Sequence, residues 1–233
     1  MHVGTIKTFQ NEIINKKIIS GKKIRFDIGT SISAPVTRYW FQRMNDIFVI
    51  GVEPNPDCYD KPNLWQGRTW SVSEEFQNHP QGDNYYHIIG ACDNVDEVIE
   101  KEFYLFNENV GRSSLLKPKF NDKLDRITKV ETFPMHFLLD KIDYQLIEMV
   151  KIDTQGNDLN VIKSFKDHIH NVCYLDVEDD CTSEYEGASN RREILNCINS
   201  LGFSMYHEHG GNLRLKNDKL KIPENFNNLS GDM

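Results

Sequence analysis

The stretch Asp153-Thr154-Gln155-Gly156-Asn157-Asp158 constrains this chain more than any other. It follows an apolar-rich run over residues 146–152 and precedes Leu159-Asn160-Val161-Ile162-Lys163-Ser164-Phe165, which reads as a helix. A buried strand that ends in a carboxylate and turns through glycine into a helix is how an open α/β sheet presents chemistry at its carboxyl edge. The same grammar occurs earlier, where Ile24-Arg25-Phe26-Asp27-Ile28-Gly29-Thr30-Ser31 runs toward a second helix. A third acid, Glu53, ends the strand expected over 47–52. One acid at a strand end is an ordinary polar turn. Three point to a cofactor crevice.

Composition narrows the class. With 233 residues, 39% hydrophobic and 27% charged, the chain suits one sizeable α/β domain and is short for two. No apolar stretch approaches the ~18 residues of a membrane span. The start, His2-Val3-Gly4-Thr5, carries no secretory apolar region, so a cytoplasmic protein is expected. A net charge of -8 disfavours a broad nucleic-acid footprint, which needs a basic patch. Cys58, Cys92, Cys173, Cys181 and Cys197 form no C-x-x-C pair; they read as reduced thiols, and no metal site is expected.

The pattern of elements follows from periodicity and breakers. A helix is expected over 5–20, from Ile6, Phe9, Ile13 and Ile14, with Gly21 breaking it. Strands are expected over 24–28, 47–52, 85–92, 103–106, 127–133, 146–152 and 172–177. A helix starting at Ser33 and Pro35 should run to about Asn45, and a short one should cover 135–140. Residues 57–84 are polar, broken by Pro62 and Pro80, and give no assignment. Asn190 with Glu193 predicts a capping box; Ile194, Leu195, Ile198 and Leu201 give the apolar face, and Gly202 the stop. A hairpin over 203–206 and 212–215 turns at Gly210-Gly211. The expected organisation is a helical segment over 1–21, a domain over 22–216 and a polar tail over 217–233.

The Asp27 to Ser31 turn can bring backbone N–H groups close to a ligand at a helix N-terminus, and Glu53, 26 residues beyond Asp27, is placed to accept from ribose hydroxyls. Together they favour a nucleoside cofactor. A dinucleotide normally needs G-x-G-x-x-G for its pyrophosphate; Gly29-Thr30-Ser31-Ile32-Ser33 lacks the later glycines. S-adenosylmethionine has no phosphate and makes fewer demands. The antiparallel end of the sheet is also what methyltransferase sheets use.

The chain resembles the FkbM-type S-adenosylmethionine-dependent methyltransferases. The resemblance is carried by Phe26-Asp27-Ile28-Gly29, by Gly51-Val52-Glu53-Pro54-Asn55-Pro56, by Val130-Glu131-Thr132-Phe133 before Leu138-Leu139-Asp140, and above all by Val150-Lys151-Ile152-Asp153-Thr154-Gln155-Gly156-Asn157-Asp158-Leu159. It spans roughly residues 22–206. It implies an α/β fold, the class I Rossmann-like sheet, mostly parallel with an antiparallel C-terminal hairpin. It also implies S-adenosylmethionine as cofactor and O-methylation of a sugar, glycan or small natural product.

On that resemblance Asp27, Gly29, Thr30 and Ser31 line the methionine end, Glu53 and the adjoining Asn55 serve the ribose, and Asp93 meets the adenine amino group. Ser31 and Ser33 stand where asparagine and glycine are more usual, and Gln155 replaces a common glutamate. Asp153 is the first candidate for the acceptor's base and Glu178 the second. An ion pair between Lys151 and Asp153, which share a side of the strand, is the competing structural reading. RNA methylation, and cofactor binding without catalysis, are the alternatives. His136, His207 and His209 read as packing or surface residues, and Trp65, Trp70, Tyr85 and Tyr86 as core or lid.

Overall fold

The computed structural model describes residues 2–5, 21–32, 34–55, 58, 84–106, 110–120, 124–179, 181–226 and 228. Strands β1 (His2–Thr5), β2 (Lys23–Ile28), β3 (Ile47–Glu53), β4 (Tyr85–Ile89), β8 (Ile147–Ile152), β9 (Val172–Glu178), β10 (Phe203–His209) and β11 (Asn212–Asn217) make one sheet. Its order is β1-β4-β3-β2-β8-β9-β11-β10. The first six strands in that order run parallel; β11 is antiparallel to β9, and β10 is antiparallel to β11. A second sheet, in the order β5-β7-β6, comes from β5 (Ala91–Cys92), β6 (Ile99–Leu105) and β7 (Arg126–Phe133).

Every residue of β3 and of β8 is buried, as expected of parallel strands covered on both faces. Alternation sorts their side chains. Ile24, Phe26, Ile28, Phe48, Ile50 and Val52 join the main core. On that face lie helices α2 (Met135–Leu139), α3 (Asp158–Ser164) and α4 (Arg191–Leu201), through Leu138, Ile162 and Ile194. Ile47, Val49 and Met149 turn to the other face, against Trp40 of helix α1 (Pro35–Arg43). Arg25 and Glu148, both fully buried within this apolar packing, form an ion pair at 2.6 Å. The Arg25 guanidinium also lies 4.9 Å from the Trp40 ring.

Register is what builds the site. Ile28 of β2 pairs with Val52 of β3 and Ile152 of β8, and Ile152 pairs with Val177 of β9. The next residue along each outer strand is therefore an acid at one common edge: Glu53, Asp153 and Glu178. From β2 the chain winds outward through β3 and β4, then returns to the other side of β2 as β8. The loops at that reversal splay apart and leave a crevice.

Several expectations shift. The N-terminal helix was expected to begin at Thr5, but His2–Thr5 pairs in parallel with β4, from His2 beside Tyr86 to Thr5 beside Ile89. Local periodicity carries no information about that partner strand. Residues 6–20 of the expected helix, Ser33, Trp65 and Trp70 lie outside the described residues. The single strand expected over 85–92 is two, in different sheets, divided at Gly90 with φ 157°. The Gly90 N–H bonds to the Glu53 carbonyl, after which Ala91 pairs with Thr132. The strand expected at 103 begins at Ile99.

Helix α1 starts at Pro35 as expected and ends at Arg43 rather than Asn45; Ala34 precedes it at φ 45°, with no side-chain cap. Strand β11 continues to Asn217, one residue into the expected tail; Asn217 is buried and its Nδ2 donates to the Val172 carbonyl at 3.0 Å. The Asn190–Glu193 capping box is present in both directions, and Gly202 closes α4 at φ 94°. Among the described residues no helix is long and apolar enough to cross a membrane.

Candidate active site

The crevice is an open cleft of about 150 Å³. One wall is Ile28, Gly29, Ser31, Val52, Glu53 and Pro54. The facing wall, Gly90, Ala91, Cys92 and Phe103, comes from the second sheet, and Gly111, Ser113 and Leu115 cover it. Its floor is the family-specific stretch: Asp153, Thr154, Gln155 and Asn157.

Glu53 is the best-defined group. Its two carboxylate oxygens accept backbone N–H groups of Ser31 at 2.8 Å and Asn55 at 2.9 Å. Ser31 reaches this position at φ 56°, a left-handed conformation. Burial pushes the Glu53 carboxyl up to about 7, although those two N–H bonds act the other way. Asn55 is buried and serves Glu53 through its backbone.

The turn after β2 differs from the sequence expectation. The N–H groups of Gly29 and Thr30 both bond to the Val52 carbonyl, at 2.9 and 3.3 Å, and that of Ser31 bonds to Glu53. These donors tie the turn to β3 and are not turned toward a ligand. Glycine is needed at 29 for another reason: at φ 82°, a Cβ would lie 1.8 Å from the Asp153 carbonyl oxygen. Gly29 and Ser31 border the cleft, whereas Asp27 and Thr30 lie behind its wall. Asp27 is fully buried, accepts from the Thr37 hydroxyl at 2.6 Å and lies 3.7 Å from the Lys151 ammonium. Burial raises its pKa against the pull of Lys151.

Asp153 borders the cleft, and the ion pair anticipated for it exists: Lys151 Nζ is 3.2 Å from its Oδ2. Lys151 is buried and also donates to the Gly29 carbonyl at 3.1 Å. Burial favours protonated Asp153, but Lys151 and a hydrogen bond from Gln155 outweigh it and hold the carboxyl below its usual range. Glu178 stands behind the cleft lining. Burial, then the charges of Asp153 and Asp158, push it up to about 9. Of the two, Asp153 is the more acidic group.

Asp93 directly follows the cleft residue Cys92, but its carboxylate is engaged elsewhere. Its oxygens take the Lys101 ammonium at 2.5 Å, the Asn94 N–H at 2.7 Å and Asn157 Nδ2 at 3.3 Å. None of His136, His207 and His209 borders the cleft. His136 is buried with Nδ1 3.1 Å from the Ser164 carbonyl, and the other two are exposed on β10. Phe103, Ser113, Leu115, Gln155 and Asn157 also border it, although the sequence assigns none of them a site role. The last two lie in the motif itself, but the covering segment carries no signal that would have found it.

Six parallel strands reversing at β2, an antiparallel pair at one end and an acid closing β3 define a Rossmann-like methyltransferase fold. The Methyltransferase FkbM domain matches residues 27–205, more than half of the chain, and the chain belongs to that family of methyltransferases. No curated protein and no solved structure gave a significant match.

Proposed function

We propose that this methyltransferase uses S-adenosylmethionine to methylate a hydroxyl of a sugar, glycan or other small molecule. The observation that carries the reading is Glu53, a carboxylate in the cleft wall fixed by two backbone donors, the residue type that a ribose diol needs. The lining offers three kinds of chemistry that suit this cofactor. Ala91, Cys92, Phe103 and Leu115 give an apolar slot suited to a base, Glu53 an acceptor suited to a ribose, and Gly29, Ser31 and Asp153 a polar end suited to an amino acid moiety.

When bound, S-adenosylmethionine would supply a methyl group already activated on a sulfonium, open to in-line attack by the acceptor oxygen with S-adenosylhomocysteine as the leaving group. Alignment is then the main demand on the protein, and can be worth about 7–11 kcal/mol. Asp153 accepts the hydroxyl's hydrogen and orients its oxygen; Lys151 keeps that carboxylate ionised while lowering its proton affinity. Asp153 is therefore a hydrogen-bond acceptor first and a modest base second. Leu115 and Phe103 exclude water from the slot.

Calorimetry and thermal melting with S-adenosylhomocysteine and NAD test the cofactor. At 100 times its dissociation constant S-adenosylhomocysteine should stabilise the protein by about 2.7 kcal/mol. Stabilisation by NAD alone would overturn the reading. Labelled S-adenosylmethionine offered with glycans, RNA and small-molecule extracts then identifies the acceptor class, and label in RNA alone would refute the small-molecule reading.

A further inference from the structure

Gln155 occupies an unusual position in this cleft. It follows Asp153 by two residues, on the turn between β8 and α3, and holds φ 54°, a conformation that side-chain-bearing residues rarely adopt. Something must hold it there, and the contacts identify what. Its Nε2 donates to Asp153 Oδ1 at 2.9 Å and to Glu178 Oε2 at 2.9 Å. Its Oε1 lies 3.3 Å from the Tyr185 hydroxyl, whose single hydrogen has the Arg112 carbonyl closer at 2.7 Å, and its backbone carbonyl accepts from Ser114 Oγ at 2.9 Å. An amide nitrogen has two N–H donors, and both here have a carboxyl partner.

The geometry points to Gln155 as a positioning residue that fixes the Asp153 carboxylate against the methyl acceptor, anchored by Glu178 on its amide and by Ser114 on its backbone. This rests on the methyltransferase reading of the cleft. The arrangement forms one chain along the sheet edge, from Glu178 of β9 through Gln155 to Asp153, then by Lys151 to Asp27 of β2. Lys151 draws Asp153 back toward the sheet, and Gln155 holds its other oxygen from the opposite side. Glu178 does not border the cleft; it meets Asp153 through the amide and by a direct carboxyl contact.

The charged and titratable groups around Asp153 are Lys151 on its own strand, Asp27 of β2, Glu53 of β3, Glu178 of β9, Asp158 of α3 and Cys181 in the following loop. Only Lys151 among them is cationic. In this acidic setting Gln155 supplies a neutral donor. Glutamate of the same shape would place a third carboxyl within hydrogen-bond distance of two others, and methionine would remove the donor without adding charge. Both changes favour protonated Asp153.

The test is the titration of Asp153 in the ligand-free protein, followed by carbon NMR with aspartate labelled at its carboxyl carbon and assigned with Asp153→Asn. Gln155→Glu should raise the Asp153 midpoint by about one pH unit or more, and Gln155→Met should raise it by less. If Gln155→Glu does not fold, Gln155→Met carries the test alone. A folded variant with a lowered melting temperature and an unmoved midpoint would overturn the proposal, because a residue that only braces the turn predicts that result. S-adenosylhomocysteine binding to the unaltered protein is measured separately. Its absence would refute the cofactor assignment while leaving the titration result intact.

Discussion

Glu53 ends β3 where the crevice opens, and its raised pKa makes it a pH-dependent group as well as an anchor. Its folded value of about 7 exceeds the ordinary 4.5. The stability it contributes is therefore present below about pH 4.5 and is lost as pH rises through about 7. A diol that hydrogen-bonds to the carboxylate favours the ionised form, so S-adenosylhomocysteine affinity should fall as pH drops from 8 to 6. Calorimetry at the two values checks this. Glu53→Ala should weaken binding by about 1.5–3 kcal/mol, the range for hydrogen bonds to a charged group. Unchanged affinity would leave Glu53 a turn residue bonded to Ser31 and Asn55.

Asp153 invites the opposite experiment. Asp153→Asn keeps the side chain's size and leaves Lys151 facing a neutral amide. Turnover should fall roughly 10²-fold or more if the carboxylate takes the acceptor's proton, with S-adenosylhomocysteine affinity kept within a few fold. The melting temperature should fall too, since Lys151 stays buried and loses its nearer partner at 3.2 Å. A destabilised variant with full turnover would assign Asp153 to the ion pair alone.

At the scale of elements, the loops following β2 and β8 behave as one unit. The Asp153 N–H bonds to the Ile28 carbonyl at 3.0 Å, Lys151 reaches the Gly29 carbonyl, and the missing Cβ of Gly29 leaves room for the Asp153 carbonyl. Gly29→Ala cannot be absorbed by a rotamer, because the obstacle is backbone and the φ of 82° is itself unfavourable for alanine. It should destabilise the protein by about 1–3 kcal/mol, as overpacking does, and should weaken S-adenosylhomocysteine binding in the same step. Denaturant unfolding alongside calorimetry would reveal whether the two losses travel together. Alanine at Gly210, which has nothing within 4 Å, is the control for φ strain alone.

For the whole molecule, the Arg25–Glu148 pair shows how the sheet tolerates charge at its centre. Both side chains are fully buried on neighbouring strands, and the hydrogen bond at 2.6 Å gives each a partner. Such pairs are weak evidence for stability, but breaking one strands a charge. Arg25→Met should cost about 3–5 kcal/mol by chemical denaturation, a large share of the ~5–15 kcal/mol available to a domain. The double variant Arg25→Met with Glu148→Leu should recover most of that loss. A single variant as stable as the original would mean that Glu148 is neutralised by other means.

The sequence by itself determined the architecture and the acids at its edge. Apolar strands of the right length, an Asn190–Glu193 cap and a glycine hairpin are local signals, and local energetics decides them. Asp153 and Glu53 were legible because a carboxylate that closes an apolar run marks the point where a buried strand leaves the core. What the sequence could not decide was who meets whom. Whether a strand pairs at the sheet's edge, as His2–Thr5 does with β4, depends on a partner more than 80 residues away. The same holds for Gly29, whose neighbour is a carbonyl on another strand rather than a ligand. Asp27 and Asp93 look alike in sequence to Glu53, yet Thr37 and Lys101 hold them away from the cleft lining. Gln155 gained its place only when parallel register brought Asp153 and Glu178 to the same edge, because a side chain's hydrogen bonds are fixed by which strands lie side by side.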